Sequence, residues 1–302
     1  MPDQVITTSI VSEAGSAVFT LAGGDTLLLM DGVSVHSMFG TSISTASGAS
    51  NALVINGSAI GYTTGVRSQN AQSTVIIGAL GKVEGQYGLY LVGTHAVQNF
   101  GRVLASDTGI LAASGNLSLL NAGKIETTAG LGNGYAIVGA SGTDIVANDG
   151  FISGRIILGD GNDTYFGRSG THIGLLSLGA GQDAAFGGSG SETFSGDQGN
   201  DVIDGGGGND VATFSGNRSQ YAVQDNLNGS FVVADSHATR DGTDTLKNIR
   251  FAQFADQKIT LTNAAPVNLA LSTAVFTEDT PVTAVVRASR RSTRMAMRSP
   301  TA

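Results

Sequence analysis

The chain has no cysteine and no tryptophan, only four prolines in 302 residues, and charged residues at just 13%. The lack of Cys excludes disulfides and thiolate metal sites; it fits an exported chain held by metal without fixing a compartment. Sparse charge argues against ordinary disorder, which combines high net charge with low hydrophobicity. No apolar run is long enough for a transmembrane helix, so no membrane insertion is expected. No basic stretch leads into an apolar run at Met1-Pro-Asp-Gln-Val5, so no cleaved secretory signal is visible.

Basic residues are scarce and unevenly placed. Five of the sixteen are Arg287, Arg290, Arg291, Arg294 and Arg298, beyond the last acid, Asp279. The formal net charge of -8 therefore hides a body, residues 1–286, with 11 basic against 24 acidic groups, or -13. Such a body disfavours nucleic acid and anionic membranes and favours cations.

What is abundant is glycine, 44 residues, in company with β-branched side chains. That mixture predicts many short strands and tight turns. From Leu178 to Thr213 the glycines fall into a nine-residue period. The segments are Leu178-Gly-Ala-Gly-Gln-Asp-Ala-Ala-Phe186, Gly187-Gly-Ser-Gly-Ser-Glu-Thr-Phe-Ser195, Gly196-Asp-Gln-Gly-Asn-Asp-Val-Ile-Asp204 and Gly205-Gly-Gly-Gly-Asn-Asp-Val-Ala-Thr213. An acid stands at the sixth place each time: Asp183, Glu192, Asp201 and Asp210. A six-residue turn followed by a three-residue strand returns the chain on itself every two repeats. Repeats n and n+2 then stack at the ~4.8 Å strand spacing. Asp183 is expected over Asp201, and Glu192 over Asp210, on opposite edges. Stacked carboxylates repel by roughly 1 kcal/mol per pair even in water; a divalent cation between the turns reverses that sign. Calcium fits best, because it accepts roughly six to eight oxygens, carbonyls included, in flexible geometry, whereas magnesium wants a tight octahedron.

The eighth place should point inward, which suits Phe194 and Ile203 beside the smaller Ala185 and Ala212. Phe186 at the ninth place predicts that the first repeat is shifted by a residue. Glu192 is one methylene longer than Asp, which predicts a looser site. Upstream, Leu158-Gly-Asp-Gly-Asn-Asp-Thr-Tyr-Phe166 is a further repeat, but Gly167-Arg-Ser-Gly-Thr-His-Ile-Gly-Leu175 puts His172 at the acid place. Two more residues precede Leu178, so Asp163 is expected to lack a partner in register.

This tandem pattern resembles the repeats-in-toxin (RTX) family of calcium-binding nonapeptides. The resemblance implies a calcium β-roll in which carbonyls of the Gly-rich turns complete each site. The candidate Ca2+ ligands are Asp163, Asp183, Glu192, Asp201 and Asp210. Beside them stand Asp160, Asn162, Gly187, Ser189, Gly190, Gly196, Gln198, Gly199, Gly205, Gly207 and Gly208 of the turns. It also implies export by a type I secretion machinery that reads an uncleaved C-terminal signal, and hence an extracellular or cell-surface location.

Residues 1–150 carry a looser repeat. Gly57, Gly81, Gly101, Gly123 and Gly150 recur every 20 to 27 residues, several embedded alike: Asn99-Phe-Gly-Arg-Val, Asn121-Ala-Gly-Lys-Ile, Asn148-Asp-Gly-Phe-Ile. A second Gly-apolar pair follows at Gly65-Val66, Gly88-Leu89, Gly109-Ile110 and Gly130-Leu131, with β-branched runs such as Ser73-Thr-Val-Ile-Ile77 between. This predicts a right-handed parallel β-helix of about six coils, with residues 1–50 less regular. Leucine-rich repeats share the period but need more Leu and a regular Asn ladder; a β-sandwich is the other alternative. The motif resembles the Asn-Gly-Thr-Ile repeats of bacterial adhesin-like passengers. Gly130-Leu-Gly-Asn-Gly-Tyr has no βαβ context, so it is no dinucleotide loop.

From Phe214 to Asp256 the texture resembles the segment that caps RTX rolls in large proteobacterial proteins. Tyr221, Val223, Val232, Leu246, Ile249, Phe251 and Phe254 are expected to pack over the last coil, with Asp241 and Asp244 assigned to turns and a metal role as the alternative. From Asn263 to Val282 the chain looks like the first strand of a cadherin-like module, and from Arg287 it becomes a basic tail that suits no such strand. A slip of reading frame there is one reading, a natural disordered tail the other.

The expectation is an all-β rod: parallel β-helix at 1–150, calcium-binding parallel β-roll at 151–214, cap at 215–262, and a tail at 263–302. The function expected is calcium-driven folding of an exported surface or matrix protein, with extracellular polysaccharide or the cell surface as further partners. Catalysis is not expected. The first 150 residues hold thirteen thinly spread charges, and His36 and His95, far apart, read as lone solvated side chains. A polysaccharide lyase or epimerase with an accessory RTX module is the enzyme rival, and a glycan-binding adhesin the other. A pore-forming toxin is disfavoured, since no amphipathic or apolar helical segment is available to enter a membrane.

Overall fold

The computed structural model describes residues 3–262, with 49, 70, 131 and 238 left aside. The cadherin-like start and the basic tail expected at 263–302 lie outside the described residues. Among those described, the structure is all-β, and the only helical element is a 3-10 turn at Arg218–Gln220.

The chain winds as a parallel solenoid, because apolar side chains alternate within short β-rich runs and recur one coil later. In Gln72–Ile77 the residues Ser73, Val75 and Ile77 point inward while Thr74 and Ile76 do not. Val75 lies in register with Leu53 above and Val97 below, and Val97 with Leu119. The stack forms one face of a 13-stranded sheet. Two more interior columns complete the coil. Ala59, Val83, Val103, Ile125 and Ile152 form the second, and Val66, Leu89, Ile110, Ile137 and Ile156 the third. Both columns are fully buried. Each coil covers the apolar edge of its neighbour, so stability is shared along the rod rather than held by one central core.

The expected glycine columns are partly realised. A Cβ at Gly101, Gly123 or Gly150 would overlap the carbonyl oxygen of Gly81, Gly101 or Gly123 respectively, so close stacking of the turns requires glycine there. Gly130 does not join the other column: Ala136, in the strand Tyr135–Val138, takes its place against Gly109. A longer loop causes the shift, since the coil from Asn121 to Asn148 has 27 residues where the preceding one has 22. An Asn ladder is present as well. Asn99 Nδ2 donates to Asn121 Oδ1 at 2.7 Å and Asn121 Nδ2 to Asn148 Oδ1 at 2.8 Å, all three residues being buried. It sits inside a solenoid with strands on all three faces.

Further along, the coil narrows. The second face ends at Thr171–Ile173, below Phe151–Ser153. The first and third faces continue alone through Ala184–Phe186, Thr193–Gly199, Val202–Asp204 and Val211–Thr213. The coils of 22 and 27 residues between Asn99 and Asn148 give way to coils of 19 from Asp144 to Asp163, 20 from Asp163 to Asp183 and 18 from Asp183 to Asp201, the last being two nonapeptides. The narrowing lies within the segment expected to form the roll rather than at its start. Tyr165, Ala185 and Ile203 on one side face Leu176, Phe194 and Ala212 on the other, and all are buried.

The cap ends the parallel stack. Thr243–Lys247 adds in parallel to Val202–Asp204, then Ser230–Asp235 and Tyr221–Asp225 follow antiparallel. Phe251–Gln253 adds to Val211–Thr213 and is closed by antiparallel Lys258–Thr260. Phe214, Tyr221 and Phe254 pack as an aromatic trio with ring centroids 5.0 to 5.4 Å apart. Tyr221, Leu246, Ile249 and Phe254 are buried as expected, and Val223 partly so. Val232 is not: Phe231 and Val233 point inward instead, because a strand alternates and its register differs by one residue. Phe251 stays half-exposed beneath Arg250 and Lys258.

Candidate metal centre

The acids of the nonapeptides form ladders on the two edges of the roll. On the first edge, Asp163 N donates to Asp183 Oδ1 at 2.7 Å and Asp183 N to Asp201 Oδ1 at 2.9 Å. On the second, Glu192 N donates to Asp210 Oδ1 at 2.8 Å. Asp163 therefore does have a partner in register. The two additional residues before Leu178 are absorbed in a 20-residue coil that still brings Asp163 over Asp183. No residue shift occurs in the first repeat either: Ala185 faces inward at 0% exposure and Phe186 faces out. Phe186 stacks on Phe166 one coil above, at 5.4 Å and 9°.

His172 is not at an acid place. It lies in register with Ile152 and ends the second interior column, its Nε2 3.0 Å from the Gly154 carbonyl oxygen. Four residues, not six, separate Phe166 from Thr171, so the turn is too short to present an acid there. Burial lowers the His172 pKa and favours the neutral ring. His95 is likewise buried rather than solvated, and desolvation lowers its pKa too.

Two acids belong to the first ladder that tandem spacing did not assign to it. Asp144 N donates to Asp163 Oδ1 at 2.7 Å, and Asp201 N to Asp244 Oδ1 at 3.0 Å. The ladder thus runs Asp144, Asp163, Asp183, Asp201, Asp244, and each is at most 2% exposed. The signal that finds them is Gly-x-acid just before an apolar strand: Gly142-Thr-Asp144 and Gly242-Thr-Asp244 repeat Gly161-Asn-Asp163, Gly181-Gln-Asp183 and Gly199-Asn-Asp201. Asp241 is a turn residue as expected, taking Ser215 N at 2.8 Å and the Tyr221 hydroxyl, whereas Asp244 lies not in a turn but in the strand Thr243–Lys247, whose pairing with Val202–Asp204 sets it on the ladder.

The ladder depends on glycine three places before the acid's strand. A Cβ at Gly181 would overlap the carbonyl oxygen of Gly161, and one at Gly199 that of Gly181. The Asp201 carboxylate lies over Gly196, in the space a Cβ would take, as Asp210 lies over Gly205. Asn162 supports the stacking by accepting Gln182 N at 2.9 Å, and Gln198 reaches the Thr239 carbonyl at 3.0 Å. Asp160 bridges Ser141 and Ala180 through its backbone. Ser189, Gly190, Gly207 and Gly208 belong to the turns of the second edge, where Gly207 N donates to the Gly188 carbonyl and a Cβ at Gly208 would overlap the Gly190 carbonyl. Gly187 N donates to the Asp204 carbonyl.

In Asp163, Asp183, Asp201 and Asp210 the ladder bond satisfies one carboxylate oxygen and leaves the other. Asp163 Oδ2, Asp183 Oδ2, Asp201 Oδ2, Asp210 Oδ2 and Glu192 Oε2 are buried without a hydrogen-bond partner. A buried ionised oxygen without a counter-charge is costly, and the electrostatics show it. Desolvation pushes Asp144 and Asp183 up to about 6, Asp201 to about 7 and Asp244 to about 8, and raises Asp163. On the second edge burial raises both acids, and Glu192 keeps the proton beside Asp210. Among the described residues no three Asp, Glu, His or Cys side chains gather at one point. A cation held between turns would therefore draw its remaining oxygens from backbone carbonyls. Unpartnered anionic oxygens beside carbonyl-rich glycine turns suit a hard divalent ion that tolerates irregular oxygen ligation.

The family profile of the RTX calcium-binding nonapeptide repeat matches the chain in four copies, over residues 155–171 and 177–215. The chain carries RTX repeats in that segment, as the nine-residue period predicts. No curated protein and no solved structure shows a significant match. Among the described residues no helix is long and apolar enough to cross a membrane.

Proposed function

We propose that the stacked turns hold calcium and that calcium completes the folding of the roll. The observation that carries this reading is the set of five buried carboxylate oxygens without a partner on two edges of one short solenoid. Bound calcium would supply the positive charge that these oxygens lack. The chain's own part is to fix one oxygen of Asp163, Asp183, Asp201 and Asp210 by a backbone N–H, leave the second for the ion, and keep side chains out with glycine. Without calcium the acids must stay protonated or repel, which loosens the stack near neutral pH. Low cytoplasmic calcium would then leave the roll open for export and millimolar external calcium would close it, the affinity range of extracellular modules. This makes the chain part of an exported surface or matrix protein. It has no reaction of its own in this reading: the acids with raised pKa values belong to ladders, not to a substrate cleft.

A calcium titration of the full chain followed by far-UV circular dichroism tests it. A cooperative gain of β signal with calcium, absent with magnesium and weakened in Asp201→Ala, is expected. A spectrum indifferent to calcium would sink the proposal.

A second reading, binding of an acidic glycan, is favoured by one groove on the β-helix. Its volume is about 740 Å³ and its lining includes Lys82, Arg102, Lys124, Phe100 and Phe151, with Asp149 as its one acid. Three of the four basic residues among the first 150 thus converge there, two of them paired with Glu84 and Glu126. Retention on uronate-rich polysaccharide that is lost in Lys124→Ala with Arg102→Ala would support it, and unchanged retention would remove it.

A further inference from the structure

The turn at residues 139–144 lies outside the RTX match, yet it reproduces the chemistry of that segment. Gly139-Ala-Ser-Gly-Thr-Asp-Ile-Val-Ala147 has glycine at the first and fourth places, an acid at the sixth and an apolar residue at the eighth. Its backbone stacks on the next turn as the repeats stack on one another. Asp160 N donates to the Ala140 carbonyl at 2.8 Å, as Ala180 N donates to the Gly159 carbonyl at 2.9 Å. A Cβ at Gly161 would overlap the Gly142 carbonyl, as one at Gly181 would overlap that of Gly161. Val146 is buried directly above Tyr165.

The carboxylates repeat the pattern too. Asp144 N to Asp163 Oδ1 is 2.7 Å, the same as Asp163 N to Asp183 Oδ1. Asp144 lies over Gly139 as Asp201 lies over Gly196. Beneath Asp144, Asp163 is 1% exposed and its Oδ2 has no partner. Above, the next rung is Leu117, whose N–H donates to Asp144 Oδ1 at 2.7 Å and which brings no carboxylate. The column of acids therefore begins at Asp144. The following nine residues, Asn148 to Ile156, lack Gly-x-acid because they supply a second-face strand, Phe151–Ser153, and this breaks the tandem period.

We infer that the turns at 139–144 and 158–163 hold a further divalent cation, calcium by preference, between Asp144 and Asp163. The inference rests on the calcium reading of the repeats. It places an ion where the coil still has three faces, so calcium ties the β-helix to the roll instead of acting on the roll alone.

Native mass spectrometry of the full chain in excess calcium counts the ions. Asp144→Asn keeps an acceptor for Leu117 N and removes the charge, so this variant is expected to bind one calcium fewer. An unchanged count, with calcium still bound, overturns the additional site and leaves the reading of the repeats standing. An unsubstituted chain that binds no calcium overturns both. Should Asp144→Asn fail to fold, hydrogen exchange of the unsubstituted chain decides. Calcium, and not magnesium, is expected to slow exchange at residues 140–147. No change there while residues 178–213 become protected contradicts the site.

Discussion

One column of side chains runs the length of the rod and changes character on the way. In the β-helix it is Asn51, Ser73, His95 and Leu117, all in register and buried. From Asp144 onward the same column is Asp163, Asp183, Asp201 and Asp244. The helix also carries the ladder Asn99, Asn121, Asn148 at the other end of its first-face strands. An Asn amide both donates and accepts, so each rung satisfies the next. An ionised carboxylate only accepts, so the Asp ladder leaves the second oxygen of Asp163, Asp183 and Asp201 without a partner, which a cation would supply. Both ladders lie on stacked first-face strands, and in the calcium reading the difference of one atom, NH2 against O⁻, makes the Asn ladder self-sufficient and the Asp ladder conditional on metal.

The largest test of that contrast is calcium removal. A site at a hundredfold excess of calcium over its dissociation constant gives about 3 kcal/mol, so several sites together exceed the margin of a small roll. Chelation is expected to abolish the thermal transition of the roll while that of the helix persists, measurable by calorimetry. Next, Phe194→Ala removes a fully buried ring from the thin core of the roll and is expected to cost about 3–5 kcal/mol. Calcium-saturated denaturant unfolding measures that loss, which should leave the transition of the roll present but shifted.

A reciprocal swap sharpens the comparison. Asn121→Asp sets a carboxylate against Asn148 Oδ1 and should cost about 1–3 kcal/mol, with or without calcium. Asp183→Asn should instead raise the stability of the calcium-free chain by a similar amount and shrink its response to calcium. Equal loss of stability in both swaps would mean that the two ladders work alike.

Acidity probes the same oxygens. In the folded, calcium-free chain burial pushes Asp144 and Asp183 up to about 6, Asp201 to about 7 and Asp244 to about 8, above their ordinary range. A raised folded pKa gives stability that is full below pH 4 and is lost as pH rises through 6 to 8. The melting temperature in chelator should therefore fall across that window, and calcium should flatten the fall. The smallest expected effect is at Phe186→Ala: this outward ring stacks only on Phe166, so the loss should stay near 1 kcal/mol in urea unfolding.

Much of this was legible in the residues. The nine-residue period places Asp183 over Asp201 and Glu192 over Asp210, since two repeats close a coil. The 20-to-27-residue spacing of Gly81, Gly101, Gly123 and Gly150 marks the wider coil. What misleads is counting in nines where the coil is not two nines. At His172 a third face still takes part, so the short turn turns an apparent acid place into a core position. At Asp163 a 20-residue coil keeps the register that the two additional residues seem to break. Asp244 stands 43 residues after Asp201 because an antiparallel hairpin is inserted, and only the local Gly-x-Asp signal survives that insertion.

Peptide-resolved hydrogen exchange of the full chain, with and without calcium, tests the central contrast most directly. The account predicts that residues 175–213 exchange slowly only with calcium, while residues 72–127 exchange slowly in both conditions. Equal protection of the two regions without calcium would contradict it, because the acid ladder would then stand without a cation.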